Sequence, residues 1–593
     1  MSDGLYSSAN ARGLPPSADN VVFGPASASV PGAPLLDQEA LPPQEIPVDE
    51  PSSRGGSLLH SSAIMAAGTL ASRVTGFLRS VLLAAALGGH ALANVFNTAN
   101  TIPNIVYDIL LGGVLTAAHV PLLIRARARS EKYGEEFEQR LFTVLLGALA
   151  LITAAAMALA PVLITMYGGK FTPTEHRVAV LFLLFFLPQI FFYGFAAVAS
   201  ASLNSRGRFG APMWTPVLNN IVVIAVLGAF MATTHGDLTP ENISHSQITF
   251  LGIGVTAGVA AQALGLIPSM RRLGFNFRPR FDFRRVELTQ MWGMASWTLI
   301  YVVAQQVALL VYTNLANAAG TKGDAEHLAG GVGLTPWTYA YAFFQLPYAV
   351  IAISIITAIL PKMTQSAAEG RFDRLAAELR EGLRLSFALM LPAVALLFGA
   401  AYEICLVLFA HGAFKPADAA VMAQVLRVFA IALTPFTLLQ LLQRGFYALS
   451  DTKTPALIAI FSTAAGALSA FLLSTVLSTP HIVLGIAAAQ GVSWSLGCVI
   501  SIVLLRRRLG RLGGRELLAL FGKAALCSVA ALIVAELAHI FLGPPTQHSF
   551  LLSALVLILQ GVLGGAAFLL FATVLRVPEV NQVIGMVRRK LGR

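Results

Sequence analysis

Long apolar blocks place the strongest constraint on what this chain can fold into. The stretch from Leu141 to Tyr167 holds no ionisable side chain except the tyrosine, and the stretch from Thr454 to Pro480 holds none. A helix of about 20 such residues crosses the hydrocarbon core of a bilayer, and it satisfies its own backbone hydrogen bonds there. The pattern predicts an all-α polytopic membrane protein with about fourteen transmembrane helices between residues 61 and 575.

The composition supports this class and argues against enzymes. Hydrophobic residues make up 56% of the 593 positions and charged residues 12%, about half the charged share of soluble domains. The three cysteines lie singly in apolar blocks, as small buried hydrophobes do, without metal-ligand or redox spacing. No HExxH, GxSxG, P-loop or GxGxxG motif is present. We therefore expect no catalysis and no cofactor, and leave coupling to an ion open.

Basic residues in the connections predict the orientation. The odd-numbered connections contain only four basic residues, Lys170, Arg177, Lys322 and Lys415, whereas each even-numbered connection has two or more of its own. Because basic loops remain in the cytoplasm, the even-numbered connections and both termini are predicted to be cytoplasmic. This distribution also explains the net charge of +11 without a nucleic-acid partner.

An internal repeat predicts two lobes. Gly169, Phe171 and Pro173 recur as Gly412, Phe414 and Pro416. An even number of spans per repeat gives parallel repeats about an axis along the membrane normal. The predicted organisation is a disordered cytoplasmic tail (1–57), a six-helix first lobe (58–280), a six-helix second lobe (281–510), two further helices (511–576) and a basic cytoplasmic tail (577–593). The N-terminal tail is rich in Pro, Ser and Gly, and we expect it to be able to bind a cytoplasmic regulator.

Two arginines in the first span suggest an anion site. Arg73 and Arg79 lie in the run SRVTGFLRS, and each costs roughly 2.5–3.5 kcal/mol to place in a membrane helix. They are about 120° apart around the helix, so both can border one wide cavity. The guanidinium group suits phosphate oxygens. Snorkelling to the interface, or a static ion pair, is the structural alternative.

A polar stripe marks the second span, predicted at 92–124. Its members share an arc of about 80° on the helix and are Asn94, Asn97, Thr101, Asn104 and Asp108. Such a stripe in an apolar span is expected to face water or a ligand, and hydrogen bonding between helices is the alternative. In the second lobe, Gln345 and Arg444 are among the polar residues inside spans.

Several motifs resemble a known family. They are SRVTGFLRS, NTIPNI, HVPLL, SLNSRGRFGAPMWTPVLNN, GLRLSFALMLP, LFAHGAFKPAD and RGFYALSDTKTP. Over about residues 60–510 the chain resembles the MurJ/MviN family of lipid II flippases. The resemblance implies fourteen helices around a central cavity that opens alternately to each side of the bacterial plasma membrane. It also implies that Arg73 and Arg79 line that cavity and meet the pyrophosphate of the undecaprenyl-linked peptidoglycan precursor.

The chain departs from the family pattern at several positions. Many members have Asp where Asn94 stands and Arg where Tyr107 stands. Many also have an Asp-Arg pair at the positions of Tyr341 and Ala342, and an acid in place of Gln345. The resemblance therefore implies a cavity that is less charged in its second lobe.

The favoured interpretation is a flippase of lipid II, with lipid II and membrane lipids as partners. The predicted substrate-binding residues are Arg73, Arg79, Asn94, Asn97, Asn104 and Asp108. One alternative is an exporter of drugs or polysaccharide-linked lipids from the same superfamily. A second, of another class, is a scaffold that recruits wall-synthesis proteins through its cytoplasmic tail.

Overall fold

The computed structural model describes residues 54–109, 130–234, 236–275, 277–282, 288–542 and 550–580. Within these, residues 54–66, 288–295 and 538–542 are described by their backbone alone. Most of the predicted N-terminal tail, the second half of the predicted second span and residues 581–593 of the predicted basic tail lie outside the described residues.

The described residues form helices and the connections between them. In chain order the helices are α1 Arg54–Leu87, α2 Ala91–Ile109, α3 Glu131–Ala158, α4 Ala160–Tyr167, α5 Pro173–Phe186, α6 Gln189–Ser205, α7 Gly210–Thr233, α8 His245–Leu264, α9 Ile267–Arg272, α10 Leu288–Ala325, α11 Leu334–Pro347, α12 Ile353–Ala368, α13 Phe372–Gly399, α14 Ala401–Phe409, α15 Pro416–Ala448, α16 Lys453–Val476, α17 Thr479–Leu509, α18 Gly514–Leu542 and α19 Phe550–Val574. A π-helical turn, Tyr348–Ala352, joins α11 to α12 in one continuous span.

Thirteen helical stretches of the described residues are long and apolar enough to cross a membrane. Their positions match thirteen of the predicted spans. The remaining one, the second, is described only from Ala91 to Ile109. The prediction of an all-α, multi-pass membrane protein is therefore confirmed, and the total of fourteen helices stays a prediction.

The repeated motif adopts the same local structure at both of its occurrences. Gly169 and Gly412 both have positive φ, at 64° and 59°, a conformation that glycine adopts without steric cost. A proline then begins the next helix in each case, Pro173 in α5 and Pro416 in α15, where its missing N–H is harmless. The two sequences therefore produce one turn-to-helix structure twice.

Each copy of this motif contacts the other predicted lobe. A Cβ added to Gly169 would lie 2.5 Å from the carbonyl oxygen of Asn314 in α10. A Cβ added to Gly412 would lie 2.4 Å from the carbonyl oxygen of Ala85 in α1. The glycine turn of each lobe thus packs against the first helix of the other lobe. Such reciprocal contacts are consistent with the predicted repeat, and we keep the names first lobe and second lobe for residues 58–280 and 281–510.

Two large apolar clusters occupy the interior of the described residues. In the first lobe, aromatic side chains of α2 and α5 pack edge to face, with the ring centroids of Phe96 and Phe182 5.3 Å apart. In the second lobe, α11, α15 and α17 meet around Phe344 and Trp494, whose parallel rings are 5.6 Å apart. Helices α18 and α19 pack against each other and against α13, outside the surfaces where the two lobes meet.

Ion pairs hold Arg280 and Asp282, at the junction of the two lobes, against α3. Arg140, whose side chain is 2% exposed, lies 2.8 Å from Asp282 and 3.3 Å from Glu136. Arg280 adds a contact of 3.4 Å to Glu136. The start of the second lobe is therefore fixed to the third helix of the first lobe by charge pairs.

Candidate functional site

The two lobes are in contact at the end of the molecule where α2 begins. Both polar side-chain atoms of Asn94 form hydrogen bonds to the second lobe. Nδ2 donates to the carbonyl of Val332 (3.0 Å), and Oδ1 accepts from the backbone N–H of Thr335 (2.9 Å). One turn further along α2, Nδ2 of Asn97 donates to the hydroxyl of Thr335 (3.1 Å). These two asparagines are buried, so in this conformation their amides bind the second lobe.

Close backbone contacts complete the closure at this end. The N–H of Ala413 donates to the carbonyl of Ala85 across the boundary (2.8 Å). A Cβ added to Gly331 would lie 2.1 Å from the carbonyl oxygen of Gly89, so only glycine allows this approach. We call the end that carries His90, Gly331 and Ala413 the sealed end. The distribution of basic residues predicts that it faces away from the cytoplasm.

Beyond the sealed end, polar side chains of both lobes meet in a central polar region. The carboxylate of Asp108 in α2 is exposed and accepts from Nε2 of Gln306 in α10 (3.4 Å). The hydroxyl of Tyr193 in α6 lies within electrostatic reach of both Asp108 and the guanidinium group of Arg79. The carboxylate of Asp108 also interacts with the phenol of Tyr341 in α11. Arg79 and Asp108 are thereby brought into one neighbourhood with residues of the second lobe.

Arg73 reaches the second lobe at a different level. It lies six residues before Arg79, about 9 Å along the helix axis, and its side chain is exposed. The hydroxyl of Tyr348, in the π-helical turn, lies within electrostatic reach of both Arg73 and Arg444. The guanidinium carbon of Arg444 lies 5.5 Å from the ring centre of Tyr447. One cation from each lobe therefore faces the same phenol.

The arginines of this region have no acidic partner among the described residues. No described carboxylate lies within 4 Å of the guanidinium group of Arg73, Arg79 or Arg444. The Nε atom of Arg444 is buried without a hydrogen-bond acceptor from the same part of the chain. An interior guanidinium group without a counter-ion favours binding of an anion, because its donors are then satisfied by the ligand.

The structure divides the predicted site residues into two groups. Asn94 and Asn97 lie in the closed boundary, as the interhelical alternative proposed, whereas Arg73, Arg79 and Asp108 lie in or beside the central polar region. Asn104 is half-buried and donates to the carbonyl of Asn100 one turn earlier (2.8 Å). Substrate binding by all six residues stays a prediction.

Aromatic residues occupy two of the positions where the resemblance implies charge, Tyr107 and Tyr341. The rings of Tyr107 and Tyr193 are 4.8 Å apart, and Tyr341 stacks on Trp337 at 5.4 Å with the ring planes parallel to within 3°. Tyr193 and Tyr348 were not among the predicted site residues. Their signal was a polar hydroxyl inside an apolar span, but tyrosine also occurs in ordinary membrane interiors and interfaces.

Comparisons with known proteins identify the family. The family described as "Lipid II flippase MurJ" matches residues 83–557, a range that includes Asn94 to Asp108 and begins after Arg79. A "Probable lipid II flippase MurJ" of Rhizobium meliloti is 28% identical over 548 residues, covering 91% of this chain and 97% of the relative. One of Haemophilus influenzae is 30% identical over 449 residues, covering 73% and 83%.

Solved structures show the same fold. A lipid II flippase MurJ in an inward closed conformation superposes with a TM-score of 0.70 at 18% identity, covering 90% of this chain and 100% of that one. A multidrug transporter of the MATE family in an inward-facing conformation gives a TM-score of 0.58 at 14% identity, covering 74% and 96%. The fold agrees with the sequence match over residues 83–557, and that match shows that the chain belongs to the lipid II flippase MurJ family.

Proposed function

We propose that this protein moves lipid II, the undecaprenyl-pyrophosphate-linked peptidoglycan precursor, across the plasma membrane for cell-wall synthesis. The name carried by its relatives supports this substrate. Closure of one end while polar residues of both lobes remain accessible between them suits alternating access, in which the lobes rock about a binding site. In this scheme the chain performs transport and makes or breaks no covalent bond.

The observation that carries the proposal is a set of arginines in or beside the central polar region that have no acidic partner among the described residues. Arg73 and Arg79 from the first lobe and Arg444 from the second present three guanidinium groups, and Asp108 lies within electrostatic reach of the same phenol, Tyr193, as Arg79 does. A pyrophosphate carries the opposite charge and several acceptor oxygens, which guanidinium groups bind through paired hydrogen bonds. Arg444 would supply the second-lobe cation that the family pattern places at Ala342.

The remaining polar residues suit the sugar part of the precursor. Asn104, Asp108 and Gln306 offer amide and carboxylate groups on the accessible side of the sealed end. Asn94 and Asn97 would become free to contact substrate only when the lobes separate, because the second lobe now occupies their hydrogen-bonding atoms. The lipid tail would stay in the bilayer, where no polar surface has to be buried.

A cation exporter of the same superfamily fits this interior less well. The MATE transporters share the fold at 14% identity, which carries no information on substrate. The three arginines in or beside the central polar region repel a cationic drug, whereas they attract a pyrophosphate. Transport of a fluorescent cation and transport of the precursor, measured on one preparation, separate the two functions.

The decisive experiment is flipping in proteoliposomes. A fluorescent short-chain precursor is placed in both leaflets, and its appearance outside is followed with a membrane-impermeant quencher. Arg79→Ala should abolish flipping. Arg79→Lys should restore it partly, because lysine supplies the positive charge without the planar, bidentate guanidinium group. Arg177→Ala, which removes an exposed arginine at the sealed end, should flip like the parent protein. Normal flipping by the Arg79→Ala variant would refute the assignment.

A second experiment addresses the scaffold alternative. A chain beginning at Ser57 lacks the predicted N-terminal tail and keeps every residue of the central polar region. We expect it to support growth of a strain depleted of the full-length protein. Failure to do so, with normal flipping in proteoliposomes, would indicate that the tail carries an essential role of its own.

A further inference from the structure

His90, in the connection between α1 and α2, contacts two carboxylates of the second lobe. Its Nδ1 atom lies 2.8 Å from Oδ1 of Asp324, at the end of α10. Its Nε2 atom lies 3.3 Å from Oδ1 of Asp418, in the first turn of α15. A neutral imidazole donates from one nitrogen only, whereas the protonated ring donates from both. The arrangement therefore fits a histidine that carries a proton.

The position of Asp418 is set by the fold. Its side chain is 1% exposed, and its two oxygens accept from the backbone N–H groups of Gly331 (2.6 Å) and Lys415 (2.8 Å). The carboxylate thus caps α15 and holds the glycine that meets the first lobe. Because both oxygens of Asp418 are held by backbone N–H groups, His90 meets a negative charge that is already in place when the lobes come together.

No other cation competes for these carboxylates within the described part of the chain. Lys415 points to Asp237, with 3.3 Å between the charged atoms, and Lys322 pairs with Glu326 at 3.7 Å. On the neighbouring α5, the carboxylate of Glu175 lies within electrostatic reach of Asp324 and adds negative potential. The groups that face His90 directly are therefore Asp324 and Asp418, and its charge is the one that balances them.

Contact with these carboxylates changes the affinity of His90 for a proton. The hydrogen bond to Asp324, followed by that to Asp418, raises the pKa of His90 to about 10, although burial acts in the opposite direction. A histidine in water titrates near 6.5. Because His90 belongs to the first lobe and both carboxylates to the second, the contacts that raise its pKa are lost when the sealed end opens.

We propose that His90, Asp324 and Asp418 form a proton-binding site that is complete only while the lobes touch, so that closing this end takes up a proton and opening releases it. The ligand is a proton from the solution at the sealed end, and it binds an imidazole nitrogen that is free in the open state. This inference goes beyond the proposed function, because it concerns what closes the sealed end. It is valid whichever molecule is transported.

The sign of the pH dependence follows from the higher pKa in the closed state. The site stabilises closure fully below about pH 6.5, and the stabilisation is lost as the pH rises through about 10. Between these values the ratio of closed to open molecules should fall by up to tenfold for each pH unit. Raising the pH from 7 to 9 should therefore lower that ratio by up to about a hundredfold.

The test measures the distance between the lobes directly. Spin labels are attached to cysteines at Glu241 in the first lobe and Val476 in the second, which are both exposed, while the native cysteines are buried. The protein is studied in lipid nanodiscs from pH 6 to 10. An Asn97→Ala background weakens the closed boundary, so that both conformations are populated. The short-distance population should shrink as the pH rises.

Two substitutions at one position separate charge from packing. His90→Gln keeps a hydrogen-bonding side chain but carries no charge, and it should open more at pH 7 and lose the pH dependence. His90→Lys keeps a positive charge to high pH, and it should stay closed up to pH 9. The proposal is overturned if His90→Gln retains the pH profile of the parent, or if the parent distances do not change between pH 6 and 10.

Discussion

The side-chain amide of Asn97 donates to the hydroxyl of Thr335 across the boundary between the lobes, at 3.1 Å. These residues belong to α2 and α11, which are far apart in sequence and meet only when the sealed end is closed. A hydrogen bond of this kind contributes about 1 kcal/mol net. The contact therefore stabilises one conformation of the transporter over the other.

A double-mutant cycle measures this contribution. Asn97→Ala and Thr335→Val should each shift the spin-label distances toward the open form. The double variant should shift them less than the sum, with a coupling of about 1 kcal/mol, or roughly fivefold in the ratio of closed to open molecules. Strict additivity would show that the two side chains do not stabilise closure together.

Arg444 should contribute to binding of the precursor. Arg444→Gln removes the second-lobe cation beside Tyr348 and keeps a polar side chain of similar length. Loss of a charge-assisted hydrogen bond should weaken binding about tenfold, measured by titrating precursor into nanodiscs at low and high salt. Arg506→Gln, at an exposed position near the end of α17, is the matched control. Equal affinities for the two variants would remove Arg444 from the site.

The pair Glu138–Arg206 should be important for folding. Arg206 lies 2.7 Å from the fully buried carboxylate of Glu138. The substitution Arg206→Gln therefore removes the cation of a buried ion pair. We expect a loss of about 3 kcal/mol, seen as a lower midpoint of thermal unfolding in detergent. Arg508→Gln breaks the more exposed pair with Asp451 and should cost less than about 1 kcal/mol. Similar losses for both variants would contradict this ranking.

Gly331→Ala should prevent closure. The new methyl group would sit 2.1 Å from the carbonyl oxygen of Gly89, closer than real Cβ contacts come, so the lobes must separate. The spin-label pair should then report the open distance at every pH. Gly147→Ala in α3, where a Cβ meets nothing within 4 Å, should leave the distances unchanged. A closed Gly331→Ala variant would show that the backbone can shift to accept the methyl group.

Helix positions could be predicted from the sequence because their cause is local. Apolar blocks longer than the bilayer is thick produce spans wherever they occur, and the repeated glycine-proline motif produces the same turn at Gly169 and Gly412. The helices extend beyond the apolar blocks, as α3 does by starting at Glu131, because polar residues continue a helix outside the membrane. Local information of this kind predicts elements, and not which elements meet.

The polar stripe of α2 shows where sequence information ends. Asn94 and Asp108 lie on one face of the helix, yet Asn94 is bonded to the second lobe while Asp108 is exposed. A polar residue in a span satisfies its hydrogen bonds equally well with water, a ligand or another helix, so polarity alone does not choose between them. His90 gave no signal at all, because its partners are distant in sequence and the site exists only in the assembled fold.

The glycine turns at 169 and 412 each rest on the first helix of the opposite half of the molecule. Both contacts join the same two halves at the same end, so a rotation about an axis distant from this end lifts both turns together. Opening of this end should therefore be a concerted, two-position event without a half-released intermediate, and damage to either turn should weaken the whole closure.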